Sequence, residues 1–375
     1  MKVRAAVLYE QGLPRPYATS QPLKIEEITL DPPGEGEVLI EIAAAGLCHS
    51  DLSAIEGLRP RKLPSVPGHE ASGVVVEVGP GVRDLVKGDH VVSSVVSNCG
   101  GCPFCARGRM TLCTSVGGPR KNGTLANGNK RLRLGSNYLY HWSGLSVFAQ
   151  HAVVMASSLV RIDKDIPLED AALVSCAVMT GTGAVFNTAN VSPGDTVAVV
   201  GLGGVGMSAL LAATAAGASR VVAIDTNPAK LEIAKRFGAT DTFSALEEGC
   251  VEQVVAATRG GCDYVIETAG SIPAMQTAYD VTSRGGMTVA VGLPHPSSQF
   301  SYPQGALVSD ERRIVGSYMG GGSPMRDIPR ILNLYRSGKL PFDKLKSNVV
   351  GFEQINQGFD ELADGAVLRN MLKPN

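Results

Sequence analysis

The sequence predicts an α/β plus β protein in which a β-rich, barrel-like domain precedes a doubly wound parallel sheet. Three observations carry this. Short strand-like runs (VRAAVLY, EVLIEIAAAG, SGVVVEVG, DHVVSSVV), punctuated by Gly, Pro and Asp, fill the chain to about Met179. From Thr196 strand and helix alternate: TVAVVG, a Gly-rich turn and an Ala-rich helix, then RVVAID, NPAKLEIAKRFG, DYVIETAG and GGMTVAVGL. At 375 residues the chain is also long enough for two domains, each with a core of its own.

Taken in order, residues 1–179 form the β-rich domain and residues 180–319 the doubly wound one. Gly320 to Gly322 then lead into helical segments around IPRILNLYRSG and FEQINQGFDELADG, which fall outside the parallel sheet, so residues 320–375 are expected to return to the first domain. The Gly- and Asn-rich stretch from Gly117 to Gly135 reads as a long surface loop.

Charge narrows the partners. The 35 acidic and 34 basic residues leave a formal net charge of −1, with no electrostatic footprint for nucleic acid and no polybasic segment for a membrane surface. A small-molecule partner fits better. The opening MKVRAAVLYEQG lacks a long apolar stretch and no run approaches a membrane span, so a cytoplasmic location is expected. In that reducing setting the eight cysteines are better explained as metal ligands or inert core residues than as disulfides.

Cys99, Cys102, Cys105 and Cys113 follow the spacing C-x2-C-x2-C-x7-C, short enough for one loop to fold four thiolates around a tetrahedral ion. A closed shell of this kind leaves no position for substrate and points to a structural role. An iron–sulfur cluster also takes four thiolates, but the C-P ending of the bacterial ferredoxin run is absent, so zinc is preferred. Two further motifs, Gly46-Leu47-Cys48-His49-Ser50-Asp51 and Pro67-Gly68-His69-Glu70, supply other ligand types. Together with Cys176 they allow a shell of Cys48, His69 and Cys176 with one open position, where a metal could acidify an alcohol or polarise a carbonyl. Singly, Cys176 also reads as a buried apolar residue and His69 as an ordinary loop histidine.

Directly after TVAVV comes Gly201-Leu202-Gly203-Gly204-Val205-Gly206, matching G-x-G-x-x-G and opening a helix. These glycines allow a tight turn and close approach of a pyrophosphate to the helix N-terminus. Asp225 closes the next strand, placed to accept bonds from the adenosine ribose hydroxyls and to repel a 2′-phosphate, which favours NAD over NADP. It could instead cap the helix that starts near Pro228. Lys230 reads either as a ribose contact or as a solvated residue.

Together these motifs resemble those of the zinc-containing medium-chain alcohol dehydrogenases, from GLCHSD through GHE and the cysteine quartet to GLGGVG and VLRNML. The resemblance implies a GroES-like catalytic domain and a Rossmann NAD-binding domain, with one catalytic and one structural zinc per subunit. It puts Cys48, His69 and Cys176 on the catalytic zinc with Glu70 behind it, and the quartet on the structural zinc. Asp51 would orient His69, and Ser50 would bond the reacting oxygen. His49 and Arg369 match positions at the cofactor pyrophosphate, Thr180 and Val205 positions beside the nicotinamide. Trp142 and Ser143 match pocket-lining positions, and the long loop before Trp142 resembles that of homodimeric members.

The departures matter as well. Ser53 stands where some members carry a histidine of the proton relay, and Val95 replaces an aromatic wall residue. Thr114-Ser115-Val116-Gly117 lacks the arginine expected after the fourth structural cysteine in glutathione-dependent formaldehyde dehydrogenases. Arg59 reads as a contact for a carboxylate-bearing substrate or as a solvated loop residue. Cys250 and Cys262 remain without a role and read as structural thiols. The expected activity is reversible oxidation of a primary or secondary alcohol with NAD. The alternatives are a thiol-dependent formaldehyde dehydrogenase and a catalytically silent NAD-binding relative.

Overall fold

A computed structural model describes all 375 residues, Met1 to Asn375. They form two compact units, the first comprising Met1–Cys176, Ser323–Leu332 and Asp343–Asn375, the second Ala177–Gly322 and Asn333–Phe342.

The first unit is built on strands whose apolar residues alternate. In β1 (Lys2–Leu8), Val3, Ala5 and Val7 turn into one core with Ile28 and Leu30 of β2 (Leu23–Leu30) and Leu39 of β3 (Glu37–Gly46). β1 and β2 pair antiparallel, with Val3 opposite Ile28 and Leu8 opposite Leu23. Next come β4 (Ser65–Val66), β5 (Ala71–Val78), β6 (His90–Ser93), β7 (Leu132–Leu134), β8 (Asn137–Tyr138), β9 (Tyr140–His141), β10 (His151–Met155) and β11 (Leu159–Ile162). One sheet runs β8-β7-β2-β1-β4-β9; in a second, β11-β6-β5-β3 lie in sequence and β10 also pairs with β3. The stretch from Gly117 to Gly135 is not the plain loop that its Gly and Asn content suggests. It holds a short helix, Gly117–Asn122, and strand β7, because Leu125 and Leu132 are fully buried in the first core and pin it down.

The second unit is a six-stranded, wholly parallel sheet of β12 (Thr196–Val200), β13 (Arg220–Asp225), β14 (Asp241–Ser244), β15 (Cys262–Glu267), β16 (Thr282–Ala290) and β17 (Arg313–Gly316), in the order β14-β13-β12-β15-β16-β17. Strands buried on both faces read as continuous apolar runs, as TVAVV and RVVAI do here. The chain runs outward from β12 through β13 to β14 and then crosses back to β15 on the other side of β12, so the Gly-rich turn that follows β12 lies at the switch point. The helix Pro228–Arg236 is capped by Asn227, whose side chain accepts from the Ala229 N–H at 2.9 Å, so Asp225 is not the cap. Cys250 and Cys262 lie in the core of this unit beside Val254 and Val265, and burial pushes the Cys262 thiol up to about 12, which suits inert residues.

The tail adds β18 (Lys346–Val350) and β19 (Arg369–Leu372) to the second sheet of the first unit. β19 runs antiparallel to the end of β3, with Met371 opposite Gly46 and Leu372 opposite Ala45, so the tail reaches the residues that precede Cys48. Between these strands the helix Ile355–Ala363 buries Phe359 edge-on against Phe148, with ring centroids 6.0 Å apart. One helical run, Leu168–Ala189, is long and apolar enough to cross a membrane, but 83% of its apolar window is buried inside the fold.

Because Phe359 and Phe148 are both fully buried, Phe359→Ala is expected to cost about 3–5 kcal/mol. Thermal unfolding followed by circular dichroism checks this; an unaltered first transition would show that the tail helix does not brace the first unit.

Candidate active site

Three segments of the first unit bring one cluster together. Cys48 ends the turn after β3 and immediately precedes the helix His49–Ile55. His69 and Glu70 sit between β4 and β5, and Cys176 lies in the widened helical turn Val174–Val178. One ligand atom from each of Cys48, His69, Glu70 and Cys176 lies within 4.8 Å of the others, and all four residues are buried. Ser175 helps to hold this arrangement. Its hydroxyl donates to the Ser93 carbonyl at 2.7 Å, while the Ala71 N–H, next to Glu70, donates to the Ser93 Oγ at 3.0 Å.

Asp51 and Arg369 complete the electrostatics. The Asp51 Oδ1 meets the His69 Nδ1 at 2.9 Å, which leaves Nε2 to the cluster. Arg369 donates from Nη1 to the Leu47 carbonyl at 2.9 Å and to the Glu70 Oε1 at 3.2 Å. The resemblance implies that Arg369 meets a pyrophosphate; in the structure its guanidinium, 3% exposed, lies against the cluster, where the pairing of β19 with β3 carries it. Burial raises the Glu70 carboxyl to about 8 despite Arg369, and its Oε2 has no partner. The Cys48 thiol is lowered, first by its hydrogen bond with Cys176, whose own thiol is correspondingly raised.

Two thiols and an imidazole nitrogen, with a buried carboxylate behind them, match the donor preference of zinc. The second group, Cys99, Cys102, Cys105 and Cys113, also brings its sulfurs within 4.8 Å of one another. Backbone N–H donors from Cys105 and Thr114 lower the Cys102 thiol to about 6, while burial pushes Cys105 up to about 12. Four sulfurs fit the four positions of a closed tetrahedral ion.

In the second unit, Gly201 has φ +89°, and a Cβ on Gly206 would lie 1.8 Å from the Gly201 carbonyl oxygen, so the turn accepts no side chain at either position. Gly203 and Gly204 begin the helix Gly204–Ala216, and the space around a Cβ on Gly203 is open, a fit for a pyrophosphate at the helix N-terminus. The Asp225 carboxylate accepts from the Leu202 N–H at 2.6 Å and the Asn227 N–H at 2.8 Å, which holds it beside this turn. Thr180 and Val205 lie on packed helices, since a Cβ on Gly181 would sit 2.3 Å from the Val205 carbonyl oxygen. Lys230 is half-buried on the next helix.

Other predicted positions differ in setting. His49 and Ser50 are exposed on the first turn after Cys48, and Ser53 is half-buried one turn on. Val95 and Trp142 are buried, and Ser143 takes a positive φ of 52°. Arg59 is half-buried, with its backbone N–H on the Ser53 carbonyl and its carbonyl accepting from Gln11. The pocket beside Trp142 is lined instead by Arg61, Lys62, Arg120 and Lys121. Sequence reasoning missed these four cations and the Ser93–Ser175 tie. A local excess of Lys and Arg would have revealed the first; nothing in the spacing signals the second.

Known proteins resemble this chain over its whole length. Residues 34–164 match the alcohol dehydrogenase GroES-like domain and residues 204–337 the zinc-binding dehydrogenase family. The S-(hydroxymethyl)glutathione dehydrogenase of Synechocystis sp. is 38% identical over 376 residues, covering 99% of this chain and 100% of its own. The NDMA-dependent alcohol dehydrogenase of Amycolatopsis methanolica is 36% identical, covering 99% of each chain. Among solved structures, benzyl alcohol dehydrogenase from Acinetobacter calcoaceticus superposes with a TM-score of 0.93 at 32% identity over the whole of both chains.

Since Asp51 holds the His69 ring through Nδ1, Asp51→Asn is expected to weaken zinc retention about 10–100-fold. Competition against a chelator series measures this, and an unchanged midpoint would reduce Asp51 to a buried structural carboxylate.

Proposed function

Because this chain belongs to the zinc-containing medium-chain alcohol dehydrogenase family, a group of zinc- and NAD-dependent oxidoreductases, we propose that it reversibly oxidises a primary or secondary alcohol to the aldehyde or ketone. The observation that supports this most directly is the buried convergence of Cys48, His69, Glu70 and Cys176. When bound, zinc supplies Lewis acidity toward an alcohol oxygen and NAD a hydride acceptor.

The residues divide the work. Cys48, His69 and Cys176 hold the catalytic ion, and the quartet of Cys99, Cys102, Cys105 and Cys113 holds the structural one. Asp51 keeps the His69 Nε2 turned to the site, and Arg369 offsets the Glu70 carboxylate. Ser50 is exposed two residues after Cys48, so its hydroxyl can take the alcohol proton and pass it to solvent without the histidine that Ser53 replaces. Loss of the hydroxyl proton through Ser50 would accompany loss of a hydride from the alcohol carbon, the two together giving the carbonyl, with bound NAD as the group that would supply the hydride acceptor. His49 and Gly201 to Gly206 serve the pyrophosphate, Asp225 and Lys230 the adenosine ribose, Thr180 and Val205 the nicotinamide, and Val95, Trp142 and Ser143 the substrate wall. A reducing, cytoplasmic setting keeps the ligand thiols available.

A second reading, oxidation of a thiol adduct of formaldehyde, draws on the relative named S-(hydroxymethyl)glutathione dehydrogenase. The missing arginine after Cys113 counts against it.

The purified protein is expected to carry two zinc ions per chain and to form NADH with a graded series of alcohols, losing activity to a chelator. Turnover of formaldehyde only with added thiol would replace the first reading by the second, and absence of turnover with every alcohol and aldehyde would sink both. A homodimer is the proposed assembly, since β17 leaves one edge of the parallel sheet unpaired and nearby Val308 is 70% exposed. Sedimentation should give twice the chain mass of 39.1 kDa; a monomer would exclude it.

A further inference from the structure

Charge along the chain is unevenly spread. Although acidic and basic residues nearly balance overall, residues 90–162 carry eight Lys and Arg and no Asp or Glu. Within this stretch Arg131 and Arg133 are paired with Glu37 and Asp31. Arg120 and Lys121 instead join Arg61 and Lys62 around a cavity of about 430 Å³ in the first unit, whose wall includes His141 and Trp142 and no carboxylate.

A set of exposed cations alone would be a solvated surface. Three features make this one a built pocket. The Arg61 guanidinium stacks over the Trp142 ring at 4.8 Å, which fixes a charge that would otherwise be mobile. Arg120 donates from Nη2 to the Val95 carbonyl, while its Nε is buried without a partner. His141 accepts the Arg131 N–H on Nε2 at 3.0 Å, and burial holds it down to about 3, so it is neutral with its proton on Nδ1. That N–H too is buried and unpartnered. Two unmet donors beside four cations are costly unless something negative completes them.

Hydrogen bonds tie the segments that line the cavity to those that carry the metal cluster. The Val147 N–H donates to the Gly68 carbonyl at 3.2 Å, next to His69, and the Trp142 N–H donates to the Ser146 Oγ at 2.8 Å. Val95, which receives Arg120, lies two residues beyond Ser93, whose carbonyl takes the Ser175 hydroxyl beside Cys176.

We propose that this cavity seats a carboxylate carried by the substrate, so that the alcohol oxidised at the cluster bears an anionic group remote from its hydroxyl. The proposal rests on the dehydrogenase reading above and names its substrate class. Arg61, Lys62, Arg120 and Lys121 supply the attraction, and the aromatic face of Trp142 shapes one side.

Two measurements test it. In the zinc-loaded protein with NAD, kcat/KM for 6-hydroxyhexanoate is expected to exceed that for 1-hexanol by about tenfold at low salt, and the preference should shrink at high salt. The Arg61→Gln/Lys121→Gln double variant should bring the ratio of the two down by about tenfold, through KM rather than kcat. Separately, Trp142 is the only tryptophan of the chain, so its fluorescence reports the cavity without turnover. Hexanoate should change the emission of the parent protein at lower concentration than 1-hexanol does, and the double variant should lose that difference. Equal responses to hexanoate and 1-hexanol, or a kinetic ratio that the double variant leaves unchanged, would overturn the proposal. Hexanoate-selective fluorescence in a protein that turns over no alcohol or aldehyde would retain the anion seat and reject the dehydrogenase reading, so the two fail separately.

Discussion

Charge burial is the constraint on which the first unit is organised. Asp51 and Glu70 are fully buried, Arg369 is 3% exposed, and Cys48, His69 and Cys176 share the same enclosed space. Removing such groups from water is costly unless they compensate one another. The compensation is incomplete with the side chains alone. Glu70 Oε2 and Asp51 Oδ2 have no partner, and two thiols, two carboxylates and an imidazole face one guanidinium. Cys48, His69 and Cys176 would hold a divalent cation here, and its charge would offset the buried thiolates and the Glu70 carboxylate. The backbone is arranged to hold this set. β3 delivers Leu47 and Cys48, β19 lies antiparallel to it and delivers Arg369, and the Ser93–Ser175 bond ties the turn of Cys176 to the strand beside Glu70.

The sequence disclosed those parts of the site whose geometry is local. Four cysteines within fifteen positions, or six residues around a glycine turn, can meet only in a few ways, so spacing alone conveys the chemistry. Likewise the alternation of Val3, Ala5 and Val7 and the continuous apolar run of TVAVV state which kind of sheet each strand enters. Arg369 was harder. A single arginine near the end of the chain carries no local signal for its partner, and only the register of β19 on β3 discloses its pairing with Glu70. The stretch after Gly117 was misread for a related reason: composition spoke for a loop, and two leucines that fit a core formed by distant strands spoke too faintly.

The dinucleotide turn illustrates the opposite limit, where backbone geometry leaves almost no freedom. With Gly206 pressed onto the Gly201 carbonyl and Gly201 itself at φ +89°, the turn exists only with glycine at both places. The Asp225 carboxylate fastens this turn through the Leu202 N–H. Its structural duty explains an acidic residue that is nearly enclosed, at 9% exposure.

The two cysteine sites also differ in what they support. The quartet has little core of its own: Cys105, Cys113 and Val116 with Cys102, Met110 and Ala126 around them. A lobe with so few apolar contacts depends on an ion to stay folded. Val116 immediately precedes the short helix Gly117–Asn122, and that helix carries Arg120 and Lys121 to the cationic cavity, where Arg120 reaches the Val95 carbonyl. An ion held by Cys113 would therefore fix the start of the segment that presents two of the four cations, which couples the closed cysteine site to the cavity.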